Sequence, residues 1–345
     1  MSIFQNFLRS LEARHNDLAA WFRTAPIRAR QLRLGPTPLS EAESGITSLS
    51  AAINRAEREE LGHCTVCHGT VDTHLLQMDY DASVCLEHFS REERARLENE
   101  LELAIKVQRA LLPHATPSLH NWEVAAFSQP ASVVGGDYFD FVNFADGAEG
   151  VIIADVMGKG MPASMLMANL QASIRIMIPE SRSPREVVER LNRLFRHNIT
   201  LTKFVSLFVG HLDLKSGKLS YVNCGHNPPF LVSRLPGQKP CFTSLSPTGP
   251  AIGIVEHPTF EERETVIPNG SALVLYTDGL VEARSVTAEE FGEELLKGSL
   301  VELATGSAQE ITQGIRDRFQ KFTNGADLHD DTTLVVFRRA ENGQH

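Results

Sequence analysis

The spacing of apolar residues changes along the chain at about residue 120. Before that point, the stretch SREERARLENELELAIKVQRALL (90–112) contains no Gly or Pro, and its apolar residues recur at helical spacing, which predicts a helix. Ser90 and Glu93 have the spacing of a capping box at its start, and Pro113 ends it. The first 60 residues open with another amphipathic stretch, so we expect helices there as well.

From about residue 120 onward, short apolar runs alternate with helical stripes. The segment 203–225 predicts two strands joined by a turn at Ser216-Gly217, which indicates antiparallel pairing. Further strands are predicted at GVIIADV (150–156), SALVLYTDG (271–279) and TTLVVFRR (332–339). Helices are predicted at 161–178, 184–198, 288–297 and 308–322. This mixture predicts an α+β domain.

The composition narrows the class of protein without identifying it. Hydrophobic residues make up 42% of the chain and charged residues 22%, which is typical of a soluble globular protein. The formal net charge of −10 argues against a broad nucleic-acid-binding surface, because such surfaces are basic. We find no export signal and no apolar run of about 20 residues that could cross a bilayer. We therefore expect a cytoplasmic protein without nucleic-acid or membrane partners.

Three of the five cysteines lie in one short segment beside histidines. Cys64 and Cys67 form one C-x2-C pair, and the pair Cys85 and His88 follows after 17 intervening residues. Two ligand pairs at this spacing suit a tetrahedral zinc site with three thiolates and one imidazole. Four protein ligands leave no open position, so the zinc would be structural and would help a segment of about 30 residues to fold.

Two alternatives to this ligand set stay open. The neighbouring His63, His68 and His74 are alternative ligands, so the spacing does not fix the fourth one. The cysteines could also be ordinary reduced thiols in a small helical segment. Cys224 and Cys241 are isolated in the sequence, and we expect them to be small buried hydrophobic residues.

Acidic residues recur at the ends of predicted strands and in turns. Asp155 and Asp278 end apolar strands, Asp137 precedes an aromatic strand, and Asp330 with Asp331 precedes the last strand. A single Asp-Gly after a strand is usually only a turn. Strand ends can converge at one rim of a sheet, however, and carboxylates clustered there repel one another unless a cation neutralises them. Because oxygen ligands select hard cations, the set predicts a site for magnesium, manganese or calcium.

Six motifs give a more specific indication. In chain order they are GGDYFDF, ADVMGKGMPAS, CGHNPP, PTGPAIGI, YTDGLVEAR and DDTTL. This series resembles the bacterial PPM-type (protein phosphatase 2C) serine/threonine phosphatases, and within them the SpoIIE/RsbU-like branch, which controls alternative sigma factors. The resemblance covers roughly residues 100–340. It implies a fold of two stacked, mainly antiparallel β-sheets flanked by helices.

The resemblance also implies a role for each acidic position. Asp155 matches the family aspartate that bridges two Mn²⁺ or Mg²⁺ ions, and Val156 contributes its backbone carbonyl beside it. The remaining catalytic metal-binding carboxylates of the family are matched by Asp137, Asp278 and Asp330. Asp331 matches an additional ligand or a neighbour of the ligands, and Asp140 is a further candidate. Two such ions lower the pKa of a shared water, which attacks phosphorus without a covalent phosphoenzyme.

The residue that binds the substrate phosphate is not assigned by these motifs. The chain has no obvious counterpart to the phosphate-binding arginine of the eukaryotic relatives. The segment Gly158-Lys159-Gly160 precedes a predicted helix and is either an anion site or a tight turn. His226 in CGHNPP is either a proton donor or, as we favour, a residue that stabilises its loop.

Together these features predict four segments and one main activity. The segments are a helical region (1–60), a zinc-binding module (61–90), a linker helix (91–112) and a PPM-type phosphatase domain (113–340). The expected activity is hydrolysis of phosphoserine or phosphothreonine on a regulatory protein. The resemblance suggests that this substrate is an anti-sigma-factor antagonist, opposed by a kinase-type anti-sigma factor. It also suggests a homodimer through the linker helix, although a single docked helix gives the same apolar stripe.

Two other functions compete with this expectation. One is a non-catalytic binding protein on a degenerate phosphatase fold, and the intact set of aspartates argues against it. The other is a zinc-dependent nucleic-acid-binding regulator, in which the Cys/His segment would be the working part. The acidic net charge and the absence of aromatic residues interleaved with the cysteines argue against this second alternative.

Overall fold

The computed structural model describes residues 62–71, 84–198, 204–233, 240–255 and 257–341, together with residues 16, 47, 50, 53, 54 and 75. The chain divides into two compact units, one of residues 1–103 with 197–202 and one of residues 104–196 with 203–345. In the described part of the chain, no helix is both long and apolar enough to cross a membrane. The helices expected in residues 1–60 lie outside the described residues, apart from isolated positions.

The described residues form helices and strands in the following order along the chain. The helices are α1 (Arg91–Leu111), α2 (Gly160–Met177), α3 (Pro184–Asn198), α4 (Asp278–Val281), α5 (Gly292–Leu303) and α6 (Ala308–Thr323). The strands are β1 (Trp122–Gln129), β2 (Tyr138–Phe141), β3 (Glu149–Val156), β4 (Val205–Leu212), β5 (Lys218–Cys224), β6 (Phe230–Ser233), β7 (Cys241–Ser244), β8 (Arg263–Val266), β9 (Ala272–Tyr276) and β10 (Thr332–Arg339). Single 3-10 turns lie at Leu86–His88 and Ile178–Glu180.

The strands form two five-stranded sheets in which every pairing is antiparallel. One sheet has the order β1-β10-β9-β6-β7, and the other has the order β2-β3-β4-β5-β8. The β4–β5 hairpin predicted from the sequence is confirmed. Its turn closes through a hydrogen bond from the Gly217 N–H to the Asp213 carbonyl at 2.8 Å, and Gly217 has a φ of +76°, which glycine adopts without strain.

The core lies between the two sheets. Apolar side chains of β3 and β4 in one sheet pack with those of β9 and β10 in the other, including Ile153, Phe208, Leu275 and Phe337, all fully buried. Because successive strand residues point to opposite faces, the alternate residues of β9 and β10 face outward. There they pack against α5 and α6 through residues such as Leu296 and Ile315. Helix α2 packs against β3 of the other sheet, which confirms two stacked antiparallel sheets flanked by helices.

Helix α1 begins where the sequence predicts. The Glu93 N–H donates to Ser90 Oγ at 3.2 Å, and the Ser90 N–H donates to Glu93 Oε2 at 2.8 Å, so the predicted capping box is confirmed. The same hydrogen bonds from Ser90 lower the pKa of Glu93. Every described residue of α1 is at least partly exposed, and Leu103 and Val107, one turn apart, are more than half exposed.

The predicted start of the helix at residue 288 was wrong, because a turn occupies residues 285–291. The Ser285 N–H donates to the Glu289 carbonyl at 2.8 Å, and Ala288 and Gly292 both have positive φ. A left-handed residue such as Ala288 does not fit inside a right-handed α-helix, whereas Gly292, as a glycine at the first helical position, adopts its positive φ without strain. Helix α5 therefore begins only at Gly292 and continues to Leu303.

Candidate metal centre and active site

Asp137 lies immediately before β2, and two hydroxyl groups bind its carboxylate. Its carboxylate is buried, and Oδ2 accepts hydrogen bonds from the hydroxyls of Thr277 at 2.8 Å and Thr333 at 2.7 Å. Burial raises the pKa of Asp137 well above its usual value, and the negative charges of Asp155 and Asp331 raise it further. Thr277 follows β9 and Thr333 lies in β10, so one sheet fixes a carboxylate that precedes the first strand of the other sheet.

Asp155 lies on β3, where it pairs with Ser206 of β4. Burial raises the pKa of Asp155 to about 7, with further contributions from the charges of Asp278, Asp330 and Asp331 in that order. These contributions require the carboxylates to lie within electrostatic reach of one another. The fold therefore brings together acidic residues that are up to 176 positions apart in the sequence.

Asp278 is the first residue of the short helix α4. Its Oδ1 is buried and has no hydrogen-bond partner among the described residues. Burial raises the pKa of Asp278 to about 6, the charges of Asp330 and Glu282 raise it further, and the charge of Lys159 lowers it. A buried carboxylate oxygen without a donor is costly, and a cation at this point would satisfy it.

The adjacent Asp330 and Asp331 have different surroundings. Asp330 is partly exposed, and its Oδ2 lies 3.8 Å from Lys159 Nζ. Asp331 is buried, and its two carboxylate oxygens accept backbone N–H groups from Ala131 at 2.8 Å and Gly136 at 2.6 Å. Asp330 thus presents its carboxylate toward solvent, whereas Asp331 fastens the loop that leads to Asp137.

Glycines allow this loop to approach the acidic cluster. A Cβ on Gly135 would lie 2.5 Å from Asp331 Oδ2, and one on Gly136 would lie 2.7 Å from the carbonyl oxygen of Val156. The loop therefore passes directly over the backbone carbonyl that the family resemblance marks as a metal ligand. Gln108 of α1 also holds the loop, since its side-chain amide bonds the Gly135 carbonyl at 2.5 Å and the Gly135 N–H at 3.1 Å.

Glu282 is an acidic residue of the site that the sequence did not reveal. Its charge raises the pKa of both Asp155 and Asp278, and it lines a cleft with Lys159 and Asp330. One signal was available in the sequence, because Glu282 follows Asp278 by four residues in YTDGLVEAR. Residues at that spacing share one face of a helical turn, and α4 is such a turn.

Asp140 and His226, which the sequence offered as candidates, are each buried beside a side-chain partner. Asp140 is buried, and Arg175 binds both of its carboxylate oxygens, with Nε at 2.8 Å and Nη2 at 2.9 Å. His226 is buried, and its Nδ1 lies 2.8 Å from Ser206 Oγ. Burial lowers the pKa of His226 to about 4, so it is neutral at pH 7. This matches the loop-stabilising role that we favoured for His226.

The acidic cluster fits divalent hard cations. It offers carboxylate oxygens from Asp137, Asp155, Asp278 and Asp330, and one of these oxygens is buried without a partner. Burial raises the pKa values of Asp137, Asp155 and Asp278, and the neighbouring negative charges raise them further, so the ionised cluster is disfavoured without a cation. Oxygen donors of this kind suit Mg²⁺ and Mn²⁺.

A second candidate metal site lies in the N-terminal unit. The ligand atoms of Cys64, Cys67, Cys85 and His88 all lie within 4.8 Å of one another. These are the four residues predicted from the spacing, and His63 and His68 are not part of the group; His74 lies outside the described residues. The geometry therefore brings together three sulfurs and one imidazole from two separate segments.

Backbone amides support the sulfurs of this second site. The Val66 N–H and the Cys85 N–H each donate to Cys64 Sγ at 3.4 Å, and the Gly69 N–H donates to Cys67 Sγ at 3.4 Å. Burial alone would raise the pKa of the Cys64 thiol, but the surrounding hydrogen bonds lower it to about 6. Burial and the hydrogen bonds from Cys64 and Cys67 raise the pKa of the Cys85 thiol to about 11, so Cys64 is the thiol of this pair that is readily deprotonated, and the thiolate is the form that binds metal.

Comparisons with known proteins agree with the fold and with the predicted family. Residues 145–340 match the family Stage II sporulation protein E (SpoIIE). The chain is 30% identical over 243 residues to the phosphoserine phosphatase RsbU of Bacillus subtilis, covering 70% of this chain and 71% of that protein. It is 31% identical over 268 residues to Protein IcfG of Synechocystis, covering 70% of this chain but only 41% of IcfG.

A solved structure shares the fold. The SiaA-PP2C domain of Pseudomonas aeruginosa superposes with a TM-score of 0.62 at 20% sequence identity, covering 71% of this chain and 98% of that domain. At this identity the likeness concerns the arrangement of helices and sheets alone. It agrees with the two stacked antiparallel sheets described above.

Proposed function

The chain belongs to the SpoIIE family of PPM-type phosphatases, and we propose that it hydrolyses phosphoserine or phosphothreonine on a regulatory protein with the help of two divalent cations. Membership of the family makes the chain a protein serine/threonine phosphatase. The protein substrate, the number of ions and the roles of single residues are our proposal. The observation that carries it is the acidic cluster, in which the pKa of Asp155 is raised to about 7 and Asp278 Oδ1 is buried without a partner.

We assign the metal ligands from the family resemblance and from the surroundings of each residue. Asp155 is central, because the charges of four other carboxylates act on it. The carboxylates of Asp137, Asp278 and Asp330 and the backbone carbonyl of Val156 complete the proposed set. Asp331 is assigned to holding the loop, since backbone N–H groups occupy both of its carboxylate oxygens.

When bound, such cations lower the pKa of a coordinated water and neutralise the charge of the phosphate. The chain itself contributes the positions of the ligands. The hydroxyls of Thr277 and Thr333 orient Asp137, and the N–H of Gly136 and the carboxylate of Asp331 hold the loop before it. Because the ligands are fixed in advance, little rearrangement is required when a phosphate monoester binds.

Hydrolysis of a phosphoserine peptide tests the proposed function. We expect wild-type protein to release phosphate with added Mn²⁺ and to lose this activity with EDTA. Asp155→Ala and Asp278→Ala should each lower the rate at least a hundredfold, since each removes a proposed ligand. Asp317→Ala is the matched control, because Asp317 is an exposed aspartate of α6 that bonds Gln313 at 2.7 Å. A wild type without metal-dependent hydrolysis would favour the non-catalytic alternative.

The family resemblance supports an anti-sigma-factor antagonist as the substrate and a kinase-type anti-sigma factor as the opposing enzyme. A cytoplasmic location, expected from the sequence, suits such partners and stays a prediction. The substrate is tested with a purified, phosphorylated anti-sigma-factor antagonist. We expect faster hydrolysis of that phosphoprotein than of a peptide carrying the same phosphorylated site.

We further propose that α1 mediates a homodimer. The exposed apolar side chains of Leu103 and Val107 support this proposal, because they lie one turn apart on the same face. Sedimentation at increasing protein concentration tests it. We expect association in the wild type and loss of association in the double variant Leu103→Glu, Val107→Glu, whereas a wild type that stays monomeric at all concentrations would rule the dimer out.

We also propose that the Cys/His site binds a structural zinc ion. Three thiolates and one imidazole are a common zinc ligand set, and four protein ligands leave no position for a substrate. Among the described residues of this region, Cys64, Val71 and Cys85 form a small buried cluster with Leu75 and Val84. So small a core is stabilised substantially by metal binding, and the site would thus hold together the segment that precedes α1.

A further inference from the structure

A cleft beside the acidic cluster combines positive and negative side chains. It has a volume of about 340 Å³, and its lining includes Lys159, Glu282, Arg284, Glu290 and Asp330. Asp330 belongs to the proposed metal ligands, so one wall of the cleft is part of the active site. The other lining residues have no assigned role in the reaction.

Lys159 lies immediately before the first residue of helix α2. It lies between Gly158, with a φ of +106°, and Gly160, with a φ of +65°, so the chain turns sharply on both sides of it. Its side chain is about half exposed at 46%, and Nζ lies 3.8 Å from Asp330 Oδ2. This distance is longer than a hydrogen bond, so the ammonium group is close to the cluster and still open to a ligand.

Arg284, the other cation that lines the cleft, already has an acidic partner. Arg284 Nη2 binds Glu290 Oε1 at 3.0 Å, and the two residues also pair through their backbones. The positive charge of Arg284 is therefore balanced by a direct partner within the cleft. Among the described residues, Lys159 Nζ has only the long contact to Asp330, so of the two lining cations it is the one whose donors can take a further anion.

A phosphate monoester is a dianion, and it has to approach several carboxylates to reach the proposed metals. We propose that Lys159 binds the non-bridging oxygens of the substrate phosphate and thereby supplies the phosphate-binding cation that the motifs left unassigned. The first turn of α2 contains no acidic residue and its amino end carries no side-chain cap, so the helix adds positive potential at the same place. The inference rests on the proposed function, because it assigns the phosphate position of that site.

Binding of inorganic phosphate to the Mn²⁺-loaded protein tests this assignment. We expect calorimetry to show binding to the wild type, at least tenfold weaker binding to Lys159→Gln, and partial recovery in Lys159→Arg, since a hydrogen bond to a charged group is lost and then replaced. Arg284→Gln is the matched control within the same cleft, and its phosphate affinity should stay within about twofold of the wild type.

The affinity for Mn²⁺, measured by electron paramagnetic resonance, separates phosphate binding from a structural role. Removal of a positive charge beside the carboxylates should leave Mn²⁺ binding of Lys159→Gln unchanged or tighter. If Lys159→Gln bound phosphate like the wild type, or lost Mn²⁺ and phosphate together, the assignment of Lys159 would be overturned. A wild type that binds no phosphate would overturn it as well.

The same variants distinguish a failure of this inference from a failure of the proposed function. If the wild type hydrolyses a phosphoserine peptide but Lys159→Gln shows unchanged kcat/KM and unchanged inhibition by phosphate, only the assignment of Lys159 fails. If the wild type binds phosphate through Lys159 but hydrolyses no phosphoserine, the proposed function fails and the anion site stands. For Lys159→Gln we expect kcat/KM to fall at least tenfold and the inhibition constant for phosphate to rise by a similar factor.

Discussion

Asp331 Oδ2 accepts a hydrogen bond from the backbone N–H of Gly136 at 2.6 Å, across 195 positions of sequence. The contact ties the start of β10 to the loop before β2, and a second one, from the Ala131 N–H to Asp331 Oδ1 at 2.8 Å, reinforces it. Both carboxylate oxygens are thus used within the chain. In contrast, Asp278 Oδ1 is buried and has no hydrogen-bond partner in the described part of the chain. The two aspartates should therefore respond differently to substitution.

The first prediction compares these two residues without metal. Asp331→Asn should destabilise the metal-free protein by about 1–3 kcal/mol, because its amide NH₂ group would face a backbone N–H that needs an acceptor. Asp278→Asn should not destabilise it at pH 8 and should raise its stability, because a repelled negative charge is removed. Urea unfolding in EDTA measures both. Equal destabilisation by the two substitutions would contradict the distinction between a loop-holding and a metal-binding aspartate.

The second prediction concerns the close approach of Gly136 to Val156. In Gly136→Ala the new Cβ would lie 2.7 Å from the Val156 carbonyl oxygen, so the loop has to move away from the proposed ligand. We expect at least tenfold weaker Mn²⁺ binding, measured by electron paramagnetic resonance. Gly298→Ala is the control, because Gly298 lies exposed within α5 with no atom near the added Cβ. It should leave Mn²⁺ binding unchanged and stabilise the protein by about 0.5–1 kcal/mol.

The third prediction concerns the pH dependence of stability without metal. The pKa values of Asp155 and Asp278 are raised to about 7 and about 6, so between about pH 4 and pH 7 these two residues bind more protons in the folded state than in the unfolded state. Their contribution to stability is therefore present below about pH 4 and is lost as the pH rises to about 7. Burial lowers the pKa of His226 from 6.5 to about 4. This residue therefore has the opposite effect, and it favours the folded state more as the pH rises through that range.

Calorimetric unfolding in EDTA at pH 5 and pH 8 separates these contributions. Between pH 5 and pH 8, the melting temperature of the wild type should fall by several degrees more than that of the double variant Asp155→Asn, Asp278→Asn, at about 2–4 °C per kcal/mol. Added Mn²⁺ should restore more stability at pH 8 than at pH 5, since protons compete with the metal for the carboxylates. Parallel pH profiles of wild type and double variant would contradict the assignment.

The fourth prediction concerns the Cys/His site. Protein purified under reducing conditions without chelator should contain one zinc ion per chain by elemental analysis, and Cys85→Ser should lose it, because Cys85 supplies one of four ligands. Cys241→Ser is the control, since Cys241 lies on β7, far along the chain from the site, and is exposed; the expectation that it is buried was wrong, whereas Cys224 is buried as expected. Wild-type protein without zinc, or a Cys85→Ser variant that retains it, would contradict the zinc proposal.

The elements predicted correctly from the sequence are those with a strong local signal. The hairpin of β4 and β5 has long apolar runs and a glycine turn, and α1 has both a helical stripe and a capping box that the structure confirms. The strands that the sequence did not reveal include β6, β7 and β8, each four residues long. So short a strand carries too few residues for its period to be recognised, and only pairing with a neighbour defines it.

The candidate site residues, too, were found where the sequence signal is local and missed where it depends on contacts between distant parts of the chain. Strand-end position and motif order were sufficient to single out Asp137, Asp155 and Asp278 as candidates. The different surroundings of Asp330 and Asp331 could not be predicted, because they depend on which backbone N–H groups the fold places nearby. Glu282 was missed for a related reason, since its charge matters only when α4 lies beside Asp155.

The central claim is that the clustered aspartates bind the cations that make this chain a phosphatase, and a single titration tests it. Mn²⁺ bound per chain and phosphate released from a phosphoserine peptide are measured in the same samples for wild type and Asp155→Asn. We predict no release without metal, a rate that rises with Mn²⁺ until about two ions are bound, and loss of both binding and release in Asp155→Asn. Full activity in metal-free protein, or unchanged Mn²⁺ binding and hydrolysis in Asp155→Asn, would contradict the claim.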